Sequence, residues 1–507
     1  MKLSKALTVV GSYTALSRIS GYFRDTILVH FLGATGLADV LFLSTKIASL
    51  FRRLFAEGAF NASFVPLFTQ KQENYGIDSA KRFSERVLFW FGAFLICVII
   101  LGELFMPEFI SVIASGYKEG SDKFKWAVQI MYIIFPYVGV ISLTAILGAV
   151  LNSLHKYADT AANPLIGNVT IIVLFMILKE EFETYAHAAA WCILLSCIVQ
   201  FIALYIVCAR NKILLIPRVF RFSKSVRTFF VRVLPGIVGT GIVQINLLIS
   251  IIFGSYLPDG GISYLQVSER VNQFPLSIIS AFIGSVLLPV LTKNIQANQL
   301  EKAIDVQRKA MHVSLLFSIP IFAFVWYYGE ILLSVLFLHG KFKLEDVYQS
   351  TPTLIAFVVG LPAYIILKIF SSTFFAQKDT MRPTIVGFLS LVINAVLCLA
   401  VVDDMFFAQQ KHVGIAAALA ISGWFNALVL GVLAYRRGIF RLEFRTISYV
   451  LRVIIATVCV TIPIHFTHDF VHQYIATTDM IVKITLLSSI IAGPTVLFIA
   501  IRKLLKI

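Results

Sequence analysis

Apolar stretches long enough to cross a membrane recur along almost the whole sequence, and this feature constrains the fold more than any other. A helix of about 20 residues spans a hydrocarbon core of about 30 Å. Hydrophobic residues make up 58% of the 507 residues and charged residues only 14%. Soluble domains carry about a quarter charged residues, so a soluble multidomain enzyme is excluded and a polytopic membrane protein is predicted.

Fourteen such stretches can be placed. They are continuously apolar, without the alternation that the strands of a membrane β-barrel need. The sequence therefore predicts an all-α polytopic membrane protein with 14 transmembrane helices. The predicted spans cover residues 6–31, 37–70, 87–115, 126–153, 163–178, 185–209, 228–257, 262–292, 311–337, 348–376, 383–402, 412–435, 448–468 and 479–501.

The loops between these spans indicate the orientation of the chain. An even number of spans places both termini on one side, and the loops on that side carry most of the Lys and Arg residues. The positive-inside rule then predicts that both termini are cytoplasmic. The net charge of +16 is explained by this topology, so no nucleic-acid partner is expected.

The sequence also repeats itself weakly at an offset of about 220 residues. Residues 64–70 resemble residues 287–293, and residues 156–164 are echoed by residues 377–383. Six spans separate the copies, so two six-helix lobes are expected in one orientation, related by a pseudo-two-fold axis along the membrane normal. The predicted domains are an N-lobe (1–209), a basic cytoplasmic linker (210–227), a C-lobe (228–436) and two C-terminal helices (437–507).

Several charged residues lie inside predicted spans, where each costs at least about 2.5 kcal/mol at a helix centre. Such side chains are expected to face a watery interior. Bases outnumber acids there, so the interior is predicted to be net positive and suited to an anion. The bases are Arg18, Arg24, Lys46, Arg52, Arg53, Arg270 and Lys368, and the acids are Asp25, Asp39, Glu57, Glu269 and, nearer a helix end, Glu103.

Most of these charges fall on spans 1 and 2 and on the polar first half of span 8, which predicts a binding site between the two lobes. At about 100° per residue, Arg53 and Glu57 share one face of span 2, whereas Arg52 points about 100° away. Alternatives stay open, because Arg52 and Arg53 could snorkel from a helix end and Arg53 with Glu57 could be an ordinary helical pair. Arg24 with Asp25 could likewise be a buried structural pair.

Metal and disulfide chemistry is not expected. The six cysteines lie in apolar runs, so neither disulfides nor a metal site is indicated. The pair Asp403-Asp404 has no third carboxylate nearby in sequence, so a solvated loop is the better interpretation. A cluster of His465, His468 and His472 has spacing compatible with a metal ligand set but falls in a predicted outer loop.

The charged motifs resemble those of a known family, the MurJ (MviN) lipid II flippases, and the fourteen-span layout matches it over the whole chain. Generic membrane composition would not place Arg, Asp and Glu at these intervals. The motifs are Ser17-Arg18-Ile19-Ser20-Gly21-Tyr22-Phe23-Arg24-Asp25, Asp39, Arg52-Arg53-Leu54-Phe55-Ala56-Glu57-Gly58-Ala59-Phe60, Phe64-Val65-Pro66, Glu269-Arg270, Phe274-Pro275, Leu288-Pro289 and Phe374-Phe375-Ala376-Gln377-Lys378-Asp379-Thr380.

The resemblance implies the multidrug/oligosaccharidyl-lipid/polysaccharide exporter fold and a transporter rather than an enzyme. It implies export of undecaprenyl-pyrophosphate-linked peptidoglycan precursor (lipid II) from the inner to the outer leaflet of the bacterial cytoplasmic membrane. Spans 13 and 14 are expected to form a groove for the lipid tail. The substrate-binding residues carried over from the family are Arg18, Arg24, Asp39, Arg52, Glu57 and Arg270, with Asp25, Lys46, Glu269 and Lys368 as further members.

The resemblance also bears on partners and coupling. Lipid II and membrane lipids are the expected partners of a monomer, with other cell-wall synthesis proteins as further candidates. Some relatives bind sodium in the second lobe, and Asn394 could serve here. However, Cys398 stands one helical turn on, where a carboxylate would be expected. No cofactor is therefore predicted, and the membrane potential is the expected driving force.

Two alternative functions would require other residues. The same fold could export another polyprenyl-linked saccharide or a drug, although a drug antiporter is expected to centre on a buried carboxylate. A membrane-embedded enzyme acting on polyprenyl-phosphate lipids would need a carboxylate cluster or a His nucleophile at a membrane face, and the sequence offers neither.

Overall fold

The computed structural model describes residues 3–56, 59–216, 222–475, 488 and 497–499. Throughout these ranges the chain forms α-helices joined by short connections, with no strand. A π-helical turn (Ile283–Leu287) separates α10 from α11. The helices are α1 (Leu3–Leu32), α2 (Gly36–Ala56), α3 (Ala59–Tyr75), α4 (Ile77–Leu104), α5 (Met106–Ile113), α6 (Asp122–Ser153), α7 (Tyr157–Leu178), α8 (Tyr185–Arg210), α9 (Lys224–Ser255), α10 (Gly261–Phe282), α11 (Leu288–Gln296), α12 (Leu300–Phe337), α13 (Leu344–Ala376), α14 (Met381–Val402), α15 (Lys411–Arg436) and α16 (Phe444–Ile475).

The helices confirm the all-α membrane fold. Of the described helices, nine are long and apolar enough to cross a membrane: α4, α6, α7, α8, α12, α13, α14, α15 and the first part of α16. Two predicted spans comprise two helices each: the third (α4 and α5) and the eighth (α10 and α11). The second span covers α2 and α3, whose junction at residues 57–58 lies outside the described residues. The last predicted span, residues 479–501, lies largely outside the described residues. The total of fourteen spans therefore stays a prediction.

Helices α1, α2 and α10 are absent from these nine, although they contain 30, 21 and 22 residues. Their length is sufficient to cross a bilayer, but they carry most of the charged residues predicted to bind a ligand. A helix with several charges is unfavourable in lipid and needs polar or protein surroundings. The charges that make α1, α2 and α10 unfavourable in lipid are thus the ones expected to form the site.

Helix packing divides the chain into two compact units, Met1–Gly260 and Gly261–Ile507. In the first unit, α2 packs on α6, α6 on α8 and α8 on α7, and α1 packs on α7. In the second unit, α10 packs on α13, α13 on α15 and α15 on α14. The order α2, α6, α8, α7 thus has the counterpart α10, α13, α15, α14, which is the order expected of an internal repeat. The predicted limits of the lobes and the linker stay predictions.

Helix α9 belongs to the first unit because it packs against α2 and α3. Phe229 of α9 is fully buried, and its ring centroid lies 5.3 Å from that of Phe60 and 6.3 Å from that of Phe64. Phe91 of α4 completes this aromatic cluster, with its ring centroid 5.3 Å from that of Phe60. Because lipid is as apolar as Phe, such contacts stabilise the helices through close packing rather than through exclusion of water.

Left-handed turns mark the same repeat in the backbone. Positive φ angles occur in five pairs of residues that lie 220 to 227 positions apart. Side chains with a Cβ avoid this conformation, so five coincidences indicate that the two halves follow one backbone plan. The pairs are Gly33 and Gly260, Gly76 and Asn298, Gly120 and Gly340, His155 and Lys378, and Lys212 and Gly438.

The start of the predicted linker is packed against the first unit. The Leu215 side chain is fully buried, and its carbonyl accepts a hydrogen bond from the Tyr205 hydroxyl at 3.1 Å. The Ile216 N–H donates to Oε1 of Glu85 on α4 at 3.3 Å. Residues 211–216 are therefore packed onto the helices of the first unit without being helical themselves. Residues 217–221, which follow, lie outside the described residues.

Candidate functional site

The predicted site residues Arg24 and Asp25 form an ion pair on α1. The Arg24 guanidinium donates from Nε at 2.8 Å and from Nη2 at 2.6 Å to Oδ1 of Asp25. Its Nη1 donates to Oδ1 of Asn168 on α7 at 3.1 Å. The Arg24 side chain is 24% exposed and that of Asp25 is 7% exposed. The pair is thus partly buried. The guanidinium stays accessible and is held in place by Asp25 on one side and by Asn168 on the other.

Asn168 also fixes the position of α1. Its Nδ2 donates to the Ser17 carbonyl at 2.9 Å and to the Ser20 hydroxyl at 3.2 Å. A Cβ added at Gly21 would lie 3.2 Å from the same Nδ2, so the glycine leaves room for the amide. Asn168 could not be selected from the sequence, because a neutral amide in an apolar span cannot be told from a packing residue. Only its contacts with α1 single it out.

The remaining predicted bases of α1 and α2 differ in exposure. Arg18 is exposed, whereas Lys46 and Arg52 are half-buried and Arg53 is exposed. Exposure alone does not decide between Arg52 and Arg53 as the ligand-facing residue, so that question stays open. Glu57 lies outside the described residues.

Asp39 lies at the start of α2 in a second polar cluster. Its side chain is fully buried, and Oδ2 accepts a hydrogen bond from the Gly260 N–H at 2.8 Å. Lys123 at the start of α6 places its Nζ 3.9 Å from Oδ2 of Asp39 and 2.6 Å from Oδ1 of Asp259. One ammonium group thus lies beside two carboxylates. In this conformation the Asp39 carboxylate is engaged by the protein itself.

Loop contacts surround this cluster of Asp39, Lys123 and Asp259. The Gly116 N–H donates to the Ser255 hydroxyl at 2.8 Å. A Cβ added at Gly116 would lie 2.5 Å from the Ser255 backbone carbon, so only glycine fits this approach. The Tyr117 ring lies 5.7 Å from the Lys123 ammonium. Burial raises the pKa of the Tyr117 hydroxyl, and the nearby carboxylates raise it further, so the phenol stays neutral.

In the second unit, the predicted residues Glu269 and Arg270 are half-buried on α10. Oε1 of Glu269 accepts a hydrogen bond from Nε2 of Gln273 at 2.8 Å. Lys368 is exposed on α13. Helix α10 is held on α13 by the Ser268 hydroxyl, which donates to the Ser350 carbonyl at 2.9 Å. The polar stretch predicted in this region therefore forms one regular helix fixed to its neighbour.

The candidate sodium ligand Asn394 is fully buried on α14. The Cys398 thiol lies one turn away and donates to Oδ1 of Asn394 at 3.7 Å. A hard cation prefers several oxygen ligands, and an amide oxygen shared with a thiol is a poor start for such a site. No group of His, Cys, Asp and Glu suited to a metal occurs among the described residues. The side chains of the predicted His cluster lie outside them.

Helix α16, the described part of the predicted tail groove, is attached to α12. The Arg441 guanidinium binds the Glu301 carboxylate through two hydrogen bonds of 2.8 and 3.1 Å. Arg308 of α12 forms an ion pair with Glu443. Further along, the buried residues Tyr328 of α12 and Val460 of α16 belong to one apolar cluster. The segment that leads into α16 is thus joined to α12 by ion pairs, and α16 itself packs against α12.

A comparison with known protein families identifies the family of this chain. The family model described as "Lipid II flippase MurJ" matches residues 28–485, which is most of the chain. The chain belongs to the MurJ family.

MurJ relatives in several bacteria support this assignment. A "Probable lipid II flippase MurJ" of Rhizobium tropici is 34% identical over 442 residues, covering 86% of this chain and 82% of the relative. Another, from Rickettsia prowazekii (strain Madrid E), is 28% identical and covers 100% of this chain and 98% of the relative. The similarity therefore extends over almost the whole length of the Rickettsia prowazekii relative.

Solved structures agree with the MurJ fold. The structure "Lipid II flippase MurJ, inward closed conformation" has a TM-score of 0.79 at 23% identity and covers 98% of both chains. A multidrug resistance MATE family transporter of the MOP superfamily, in an inward-facing conformation, has a TM-score of 0.70 at 14% identity. It covers 85% of this chain and 97% of its own. The MurJ fold is thus shared with MATE transporters.

Proposed function

We propose that this protein is a flippase that moves lipid II from the inner to the outer leaflet of the bacterial cytoplasmic membrane. It acts as a transporter and not as an enzyme. The observation that carries the proposal is membership of the MurJ family over most of the chain. The basic residues of α1 and α2, together with Arg270 of α10, support it.

The charges fit the physical problem of flipping. A pyrophosphate, two sugars and a peptide must cross hydrocarbon while a polyprenyl tail stays in lipid. Arginine suits the pyrophosphate because its planar fork donates two parallel hydrogen bonds to phosphate oxygens. Arg24 is the best-defined candidate, since its guanidinium is both accessible and held in place by Asp25 and Asn168.

Transport is proposed to follow alternating access through a central cationic cavity, with both termini in the cytoplasm. The polar contacts of Asp39 with Gly260 and Lys123 lie at the end of α2 that this topology assigns to the outer side. They hold that end of α2 against the start of α6 and the turn after α9. The tail is proposed to follow α16, which is anchored on α12.

The membrane potential is proposed as the driving force. A negative interior favours outward movement of an anion by about 2.3 kcal/mol per charge per 100 mV. The thiol beside Asn394 argues against sodium coupling. Flipping in liposomes should therefore slow when the potential is collapsed and should not depend on replacing sodium with potassium. An unchanged rate without a potential would refute this part of the proposal.

The central experiment measures flipping of labelled lipid II by the purified protein in liposomes. Arg18→Ala and Arg270→Ala should each reduce flipping at least tenfold, with the thermal unfolding temperature unchanged. Arg436→Ala is the matched control, because it removes the same charge at the exposed end of α15 and should leave flipping intact. Flipping of a different polyprenyl-linked saccharide, but not of lipid II, would retain the fold and overturn the substrate.

A further inference from the structure

The Ser17–Asp25 motif contains residues that the proposed function leaves unexplained. Arg18 and Arg24 are accounted for by anion binding and Asp25 by its ion pair with Arg24, whereas Ser17, Ser20 and Gly21 are not. The unexplained residues share one neighbour: each either bonds to Asn168 of α7 or leaves room for its amide.

We propose that Asn168 is a positioning residue for the lipid substrate, acting through Arg24. Its amide holds the Arg24 guanidinium in the orientation that offers N–H groups to the pyrophosphate. This inference rests on the proposed function, because it names a further residue of the same site.

The hydrogen bonds of Arg24 show how this works. Arginine has five guanidinium N–H groups, of which two bond to Asp25 and one bonds to Asn168. Two N–H groups are engaged by neither partner and can donate to phosphate oxygens. With acceptors on two sides, the guanidinium loses little further rotational freedom when a ligand binds, which favours affinity.

Asn168 suits this position because an amide is both an acceptor and a donor. Its oxygen faces Arg24 while its nitrogen donates to Ser17 and Ser20, so a flipped amide would lose the bond to Arg24 and both bonds to the serines. A carboxylate in its place could not donate to the Ser17 carbonyl. It would also leave Arg24 between two acids and turn a neutral Arg24–Asp25 pair into a net negative group, which would repel phosphate.

The test is a double-mutant cycle on lipid binding. Binding of lipid II and of undecaprenyl pyrophosphate is measured for the unmodified protein, Asn168→Ala, Arg24→Ala and the double variant. If Asn168 acts through Arg24, Asn168→Ala should weaken binding about tenfold, the size of a lost charge-assisted hydrogen bond. In the Arg24→Ala background, the same substitution should have no further effect.

Two additional variants keep the test decisive. Asn168→Leu retains the branched shape in an apolar helix, and it replaces Asn168→Ala if that variant unfolds. Asn163→Leu makes the same substitution at a buried position on the same helix and should leave binding unchanged.

The outcomes separate the two proposals. Equal weakening by Asn168→Ala in both backgrounds would mean that Asn168 only supports the helices, and would overturn this inference while leaving the flippase proposal in place. Failure of the unmodified protein to bind either lipid would overturn both.

Discussion

The Asp379 carboxylate connects the ends of three helices. It follows α13 and accepts hydrogen bonds from the side chain and N–H of Arg382 at the start of α14. It also accepts one from Arg437, after α15, at 2.8 Å. The hydrogen bond from the Arg382 side chain is the main reason why the pKa of Asp379 lies below its ordinary value of 3.8.

The Asp379→Asn variant should therefore be less stable by about 1 kcal/mol at neutral pH, because it loses the charge that both arginines contact. A lowered folded pKa gives stability that is present above the ordinary value of 3.8 and is lost as the pH falls through the folded pKa. Thermal unfolding in detergent should show a constant difference between pH 5 and 8, shrinking below pH 4. Asp403→Asn, at an exposed position, is the control. A difference that grows on acidification would contradict this origin.

At this scale the sequence revealed charges but not their partners. Arg24 and Asp25 were visible because charges are rare in apolar spans. Asn168 was not visible, since its role depends on α7 crossing α1 at Gly21. Likewise, Asp39 could be selected from its charge, but its bond to the Gly260 N–H depends on backbone that is distant in sequence.

The ends of α2, α6 and α9 are joined by the cluster of Asp39, Lys123 and Asp259. Lys123→Met keeps most of the side-chain length but removes the charge beside fully buried Asp39. We expect a loss of about 1 to 3 kcal/mol of stability, because a buried carboxylate loses a cation 3.9 Å away. A fall in the thermal unfolding temperature in detergent would show this.

Lys125→Met provides the comparison for Lys123→Met. It lies two residues away, and its ion pair with Asp122 joins side chains that are 63% and 78% exposed. Such a surface pair contributes little, so the unfolding temperature should stay the same. Equal effects of the two substitutions would mean that the cluster does not stabilise these helix ends.

Hydropathy predicted the helices well but not their interruptions. The apolar stretch of residues 87–115 suggests one span, yet α4 ends at Leu104 and α5 begins at Met106. Packing also decides which neighbours a helix chooses. Nothing in the hydropathy of α9 indicates that Phe229 inserts beside Phe60 of α3.

Over the whole molecule, each paired left-handed turn allows the residue preferred at a position in one half to be inferred from its counterpart in the other half. Lys212 after α8 corresponds to Gly438 after α15, and both turns are closed by a hydrogen bond from the next N–H, at 3.0 and 3.1 Å. In both, that next residue is a buried isoleucine, Ile213 or Ile439. Both turns place this residue at a positive φ angle, but only the second has glycine there, which adopts such an angle without strain.

Lys212→Gly should therefore stabilise the protein by about 0.5 to 1 kcal/mol, because it removes the strain of a side chain at a positive φ angle. The greater conformational entropy of glycine in the unfolded chain offsets only part of this gain. Thermal unfolding in detergent would detect the increase. Arg210→Gly, two residues earlier at the end of α8, should instead lower stability by about 1 kcal/mol. A decrease with both variants would show that the turn at Lys212 is not strained.

The weak repeat in the sequence predicted a shared plan for the two halves, and both helix order and turns follow it. The motifs at residues 64–70 and 287–293 were detectable because proline keeps a fixed place in each. The left-handed turns were not, since His155 and Lys378 have no local signal for positive φ. Their backbone conformation has been retained while their side chains have diverged.

This divergence indicates how such a chain arises. A gene for six spans encodes a protein whose ends lie on one side of the membrane, so two copies fused in tandem insert in the same orientation without any inversion. After fusion, each copy can change its residues independently, provided that every turn still closes. The five paired turns are then what the two copies still share in their backbone, whereas the charges are what distinguishes one half from the other.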